Sequence, residues 1–489
     1  MNREQWRPFL QQWSEEWIDS HDPEKDGELD EAVVRDRWLG FAPASEEEIA
    51  AAEARLGRTL PPSLREFLAV TNGWRDAGCF IYRLAGTAEL EWLADTDRSY
   101  LIEIYDELAE DDTEDDTEDD TEDDTDGEDE EENPDVINEA EVLRRSLLVS
   151  LEGDAADVFL DPEDVNERGE WTAYWLASWS GEGLEPYESF YELMYDQYKS
   201  FHALRQPQGD TKDRWNTKVE EARRAALRGE IEGPLKVLAE AEDFGNERAL
   251  LLRFQMLTML GGGEQQAEIS RVVDYKHHPG ILRHPLFLPE LLPLVFEEDR
   301  TRDLPHGWST LRFSKENGPE WLQSLLADQE ARRAAPDFRL SFGNPEFDAA
   351  VHRILDRLAA DPAFQVPDPY EEQQQNATYE EVWVDGQPAM RVTMPTLTAS
   401  AVLMTEESED GVPADFDVHD PFGAYDRALE RQQQLIDEAW PELKEALRLW
   451  RPLHEDHIAP VVLFADPVLA EMITEERGRE ILAMRRTGD

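Results

Sequence analysis

Apolar residues recur along this chain with two different periods, and the period changes from segment to segment. Between residues 2 and 18, Trp6, Phe9, Leu10, Trp13 and Trp17 fall three or four apart, so they line one face of a predicted helix. Residues 44–73, ASEEEIAAAEARLGRTLPPSLREFLAVTNG, carry richer punctuation. Ser45 and Glu48 have the S-x-x-E spacing of a capping box, in which each side chain satisfies a free backbone N–H of the helix start. Ile49, Ala52 and Leu56 follow on one face, and Gly57 is placed to close the helix in the left-handed conformation. Pro61 and Pro62 suit the first turn of a second helix, whose buried face is Leu64, Phe67, Leu68 and Thr71. Asn72-Gly73 reads as a turn.

The period then shortens. CFIYRL and SYLIEIY, within residues 78–104, read as strands with a short helix near Leu90–Leu93. RRSLLVSLEG and ADVFLDPEDV read as two more strands. Trp171, Trp175 and Trp179 are four apart, which fits a helix face or alternate inward positions of a strand. The Thr, Tyr and Trp content, bounded by Gly169 and Gly181, favours the strand. Residues 187–204 form a closing amphipathic helix with Phe190, Leu193, Met194 and Phe201 inside.

RQPQGDTKD has linker composition, and residues 214–260 are helical throughout, with Ala-rich segments broken by Gly turns. That stretch looks like one tetratricopeptide-type unit; a single unit cannot bury its own face, so it is expected to pack on a neighbour. Farther on, Asn344-Pro345 starts a helix with Phe347, Val351, Ile354 and Leu358 on one face. YEEVWVDGQPAMRVTM, residues 379–394, is a hairpin turning at Asp385-Gly386, and TLTASAVLM adds a strand. The helical region that begins at PFGAYDRALE is expected to break or restart at Pro441, and the tail ends in an apolar run and a final helix.

The expected fold class is α+β: an N-terminal domain over residues 1–205 with an antiparallel sheet and flanking helices, a linker at 206–213, a helical unit at 214–262, and a C-terminal α+β domain at 264–489.

Charge narrows the function classes. The formal net charge is −65, and residues 110–132 supply 18 acids without a base, which leaves −47 on the rest. Such a surface repels nucleic acid and anionic lipid and suits a cationic protein partner, although general surface acidity accounts for it equally well. The single cysteine, Cys79, excludes an intrachain disulfide framework and a cysteine-based zinc site; it reads as a small buried residue on a strand. The first residues lack an apolar core of signal-peptide length, and no run of about 18 apolar residues occurs, so the expected location is cytoplasmic.

Candidate chemistry is sparse. The repeat DDTEDDTEDDTEDDTD lacks the Gly at position 6 and the Glu at position 12 of an EF-hand loop, and like charges in every turn should keep it extended. Thr113, Thr117, Thr121 and Thr125 sit in acidic contexts that a kinase could accept. His277, His278 and His284 lie near one another, and His454 and His457 form HEDH, without the H-E-x-x-H spacing. Surface or loop histidine is the simpler reading of both groups, so no metal, cofactor or catalytic residue is assigned. Gly261-Gly262-Gly263 has no following Lys to make a phosphate cradle.

Residues 38–74 resemble the SUKH superfamily, which includes yeast regulators of cell-wall glucan synthesis. The stretch WLGFAPASEEEIAAAEARLGRTLPPSLREFLAVTNGW carries the pattern in Trp38, Gly40, Glu53, Leu56, Gly57, Leu60, Pro61, Phe67, Asn72, Gly73 and Trp74. FLDPEDVNERGEWTAYWLASW and the helix opening at Ser189–Met194 also look like bacterial members, so the resemblance covers about residues 1–204. It implies an α+β fold with a partly open, protein-binding sheet, no catalytic residues, and an immunity or regulatory role. Bacterial relatives are largely immunity proteins against polymorphic toxins, many of them nucleases. It also moves the acidic repeat inside one domain, as a disordered loop insertion over residues 110–134. The sequence therefore predicts a non-enzymatic module that binds a protein, a basic toxin or nuclease domain being the fitting class, with a multi-domain regulatory scaffold as the alternative and enzyme activity in the C-terminal domain as a remote one.

Overall fold

The computed structural model describes residues 2–115, 138–261, 265–301, 309–368, 378–384, 387–393 and 421–485. Two compact units are present, Met1–Lys218 with Glu240–Asn246, and Val219–Ala239 with Glu247–Asp489.

In the first unit, α1 (Arg3–Ser20) starts at a capping box in which the Asn2 side chain accepts the Gln5 N–H and Gln5 reaches back to the Asn2 N–H. Its inner face is Trp6, Leu10, Trp13 and Trp17, all buried. Two short helices follow, α2 (Pro23–Asp26) and α3 (Glu31–Asp36). Then α4 (Glu46–Leu56) carries the Ser45/Glu48 capping box and closes on Gly57 at φ +71°. α5 (Pro62–Leu68) has Pro61 at its N-cap, which supplies no side-chain acceptor. The carboxylate of Glu170 does so instead, accepting the Ser63 N–H at 3.0 Å and the Ser63 hydroxyl at 2.6 Å.

Two antiparallel sheets follow. β1 (Trp74–Arg75), β2 (Ile81–Leu84) and β5 (Ser150–Gly153) make the first, in the order β1-β2-β5. β3 (Glu91–Trp92), β4 (Leu147–Leu148), β6 (Ala156–Val165), β7 (Trp171–Ala177) and β8 (Leu184–Tyr187) make the second, in the order β3-β4-β6-β7-β8. Between β3 and β4 the chain forms α6 (Tyr100–Asp115) and α7 (Glu139–Arg145). Leu101, Ile102, Val142 and Leu143 of these helices cover Phe159, Tyr174, Leu176 and Leu184 of the second sheet. α8 (Phe190–Arg205) packs on β7 and closes the unit with Phe190, Leu193, Met194 and Phe201 buried.

Two expectations change here. SYLIEIY is the start of α6, not a strand; its inward residues Leu101, Ile102 and Tyr105 recur at helical spacing, and packing on the sheet overrides their β-propensity. β7 is buried on both faces, at Trp171 and Ala173 as well as Tyr174 and Leu176, while the five-stranded order leaves β3 and β8 as edges. The acidic repeat is not extended from its first residue, since α6 carries helical backbone through Asp115; the remainder of the repeat lies outside the described residues.

Next come α9 (Asp210–Leu227) and α10 (Glu232–Asp243). The second unit continues with α11 (Glu247–Gly261), α12 (Gln265–Val272), α13 (Leu292–Thr301), α14 (Thr310–Asn317), α15 (Glu320–Arg333) and α16 (Pro345–Ala359). α16 buries Phe347, Val351, Ile354 and Leu358 as its spacing predicts. The hairpin exists as β9 (Thr378–Val384) paired with β10 (Gln387–Thr393), Val384 opposite Gln387. Its turn residues Asp385 and Gly386, and the TLTASAVLM segment, lie outside the described residues. α17 (Pro421–Ala446) runs through Pro441 without a break, because burial of Ile436, Ala439 and Leu443 along one stripe offsets the lost N–H. α18 (Pro467–Met472) and α19 (Glu475–Leu482) finish the unit, with α19 against α11. Among the described residues no helix is long and apolar enough to cross a membrane.

Candidate functional site

The signature residues hold the first unit's core together rather than forming one site. Trp74 is fully buried and takes the edge of Trp38 at 5.2 Å and the Trp13 ring at 6.1 Å. Gly40 bridges Trp74 in the backbone, and a Cβ there would overlap Thr71 and Trp38. Glu53 accepts the Leu60 N–H at 3.2 Å and pairs with Arg65 at 3.4 Å, so it pins the break between α4 and α5 that Gly57, buried Leu60 and Pro61 define. Asn72 accepts the Thr87 N–H at 2.7 Å, which ties the loop after β2 to the turn at Gly73 (φ +105°). Arg55, which no motif singles out, secures the same loop by donating to the carbonyls of Leu90 at 2.6 Å and Thr87 at 2.7 Å.

A buried carboxylate lies at the heart of the unit. Glu16 accepts from the Tyr198 hydroxyl, from His202 Nε2 at 3.0 Å and from the Thr211 N–H at 3.1 Å. Burial opposes its ionisation, but the hydrogen bonds from His202 and Tyr198, joined by Thr211, win and hold the carboxyl down at about 2. With Gln12 Nε2 donating to Oε1 at 3.4 Å as the fourth donor, every lone pair is committed, so the cluster ties α1, α8 and the start of α9 together and offers no reactive group.

The outward side of α6 is different. Tyr100, Ile104 and Leu108, at i, i+4 and i+8, are 53%, 44% and 52% exposed. Glu103 and Glu107 stand exposed between them without an ion pair among the described residues, and Asp106 is forked by Arg144 at 2.7 and 2.8 Å. α6 thus carries one apolar stripe on the sheet and a second that faces outward.

In the second unit the structure regroups the histidines. The two sequence clusters stay apart as sets, and His284 meets His454 with ring centroids 4.6 Å apart. Asp456 Oδ2 lies 3.6 Å from His284 Nε2 and 3.6 Å from His454 Nδ1, so these three atoms could in principle face one ion. The hydrogen bonds argue for another use. His284 Nδ1 accepts the Leu286 N–H at 3.2 Å, and His454 Nδ1 accepts the Asp456 N–H at 3.2 Å. In the neutral rings both protons therefore sit on Nε2, which removes the free lone pair a metal would take from His284 and engages that of His454. Asp456 is meanwhile held by Arg248 at 2.7 Å. Its neighbour His457 is fully buried 3.1 Å from buried Glu290, and its Nδ1 accepts the Leu453 N–H. The arrangement is a cluster of ion pairs and backbone hydrogen bonds that fixes the 453–458 segment. Among the other candidates, His277 pairs locally with Asp274 at 2.6 Å. Cys79 is half-buried in the loop before β2, not on a strand, and burial pushes its thiol up.

No curated protein and no solved structure matches the chain significantly. One family does, over residues 43–196, from the lead into α4 to the first turns of α8: the SMI1 / KNR4 family, SUKH-1. The first unit of this chain therefore carries a SUKH-type domain of the SMI1 / KNR4 family.

Proposed function

We propose that this chain is a non-enzymatic binding protein of the immunity or regulatory kind, whose SUKH-type domain docks a cationic partner protein, a basic toxin or nuclease domain being the class that fits. The observation that carries the reading is the outward stripe Tyr100, Ile104 and Leu108 of α6, framed by Glu103 and Glu107. Aromatic and branched apolar side chains in a charged frame make a good interface centre, since apolar burial supplies affinity while the rim charges steer and select. The overall −65 charge favours fast encounter with a basic surface.

The test is co-expression with the toxin encoded by a neighbouring gene, scored by rescue of growth and by pull-down. Ile104→Asp with Leu108→Asp is expected to abolish both, a loss of roughly 100-fold or more in affinity for two central contacts. Failure of the wild-type chain to bind any basic partner at low salt rejects the reading.

The scaffold alternative has its own support in the second unit. There a groove of about 280 Å³ is lined by Leu288, Leu292, Phe296, Phe338 and Leu453, with Leu288 and Leu453 nearly half exposed. A partner lost on Leu453→Asp but retained in the α6 double variant would favour that reading.

A further inference from the structure

We infer that the first unit contains a pocket for a single cationic side chain, an arginine or lysine offered by the partner; the inference rests on the cationic-partner reading above. The end of α1, the α2–α3 segment and the loop between β1 and β2 enclose a cavity of about 440 Å³, with Trp17, His21, Arg75, Asp76, Tyr82 and Arg205 among its walls.

The arginines in that wall are already committed. Arg205 forks onto Asp26 at 2.8 and 3.0 Å and lies over the Trp17 ring at 4.5 Å. Arg75 reaches Asp30 at 3.0 Å, donates to the carbonyls of Leu39 and Gly40, and covers Phe41 at 3.9 Å. Among the described residues of the wall, the carboxylates of Glu28 and Asp76 have no hydrogen bond or ion pair. The Asp76 carboxylate has no hydrogen bond and no ion pair among the described residues, although its backbone is fixed by the bond from its N–H to the Tyr82 carbonyl at 2.9 Å. His21, with 8% of its side chain exposed, gives its Nε2 proton to the Gly27 carbonyl at 2.7 Å, and its buried Nδ1 makes no hydrogen bond and lies 3.7 Å from Asp26 Oδ2. A carboxylate is acceptor-only, so the ligand that fits these groups is a donor.

The backbone sharpens this. Asp76 sits at φ +51°, a conformation that asparagine or glycine would adopt as readily. Neither would bring a charge without a direct partner into a half-buried position. Burial pushes this carboxyl up to about 6 despite the pull of Arg205, His21 and Arg75, with Asp26 adding to the rise. Arg205 and Arg75 neutralise Asp26 and Asp30, so the unpaired charges left in the wall are Glu28 and Asp76; an anionic ligand would meet both, whereas a guanidinium or ammonium is met by the free Asp76 carboxylate beside the exposed edge of Tyr82.

The probes are N-acetyl-arginine methylamide, its lysine counterpart and the neutral citrulline analogue, titrated into the full-length protein while the amide resonances of residues 76–79 are followed. The expected result is saturable shifts with the arginine or lysine probe, none with citrulline, and at least tenfold weaker binding in Asp76→Asn and in His21→Phe, with thermal unfolding verifying that each variant is folded. Equal shifts from arginine and citrulline, or unchanged affinity in a folded Asp76→Asn protein, overturn the inference. Basic proteins supply the separation from the functional reading. A partner that binds through α6 and ignores Asp76→Asn removes the pocket and leaves the reading standing, whereas a probe-binding pocket in a chain that captures no basic protein does the reverse.

Discussion

At the scale of residues, two carboxylates in the first unit have opposite thermodynamic signs. Glu16 is buried but held at about 2, well below its ordinary value, so its ionised form is stabilised by folding. That stabilisation is complete above the unfolded carboxyl range near 4.5 and is lost as pH falls through about 2. Glu16→Ala, which leaves His202, Tyr198 and the Thr211 N–H without their acceptor, is expected to destabilise the protein by about 3 kcal/mol, read as a lowered midpoint in urea at pH 7. Asp76 works the other way. Its raised carboxyl takes up a proton more readily folded than unfolded, so its effect on stability is neutral below about 3.8 and becomes unfavourable as pH climbs through about 6. Asp76→Asn should therefore raise Tm at pH 8 by a few degrees, on the order of 1 kcal/mol, and leave it unchanged near pH 4. An equal shift at both pH values would show that the backbone, not the charge, is responsible.

Elements show what was readable from local chemistry and what was not. The α4 start, its Gly57 end and the proline opening of α5 are determined within spans of four residues, and each stands where the sequence puts it. β6 and the α16 face were readable for the same reason, since periodicity reports burial directly. α6 was not, because Tyr and Ile on both of its sides mimic a strand until the sheet beneath it is known. The His284–His454–Asp456 cluster was hidden by a chain separation that grouping by proximity cannot bridge. Glu170 as the acceptor for α5 was hidden in the same way. Helix contacts hold a further constraint of this kind. In α19, Gly478 faces the Met259 carbonyl of α11 so closely that a Cβ would occupy the oxygen's place. Alanine is ordinarily the better helix former by about 1 kcal/mol, yet Gly478→Ala is expected to destabilise by about 1–3 kcal/mol or more. A calorimetric Tm at or above wild type would refute that close approach.

For the molecule as a whole, the acidic segment between α6 and α7 divides the SUKH-type domain in sequence without dividing it in space. Its flanking helices cover the same strands, and Arg144 of α7 forks onto Asp106 of α6. Replacing residues 116–137 by a short Gly/Ser linker is expected to leave Tm within a few degrees, because loop-closure entropy changes only slowly with length. The same replacement should slow association with a basic partner at low salt and have little effect at high salt, where charges are screened. Loss of folding would show that the segment contributes to the core.

Strand pairing carries this one step further. β2 and β3 precede the acidic segment, and their partners β5 and β4 follow it, so both sheets are stitched across the gap. The domain is thus two complementary polypeptides that happen to be joined. A chain cut once between Asp115 and Asn138 should still elute as one particle, and the halves expressed separately should find each other and reconstitute the fold, which makes this site a natural place to install a conditional split of the protein.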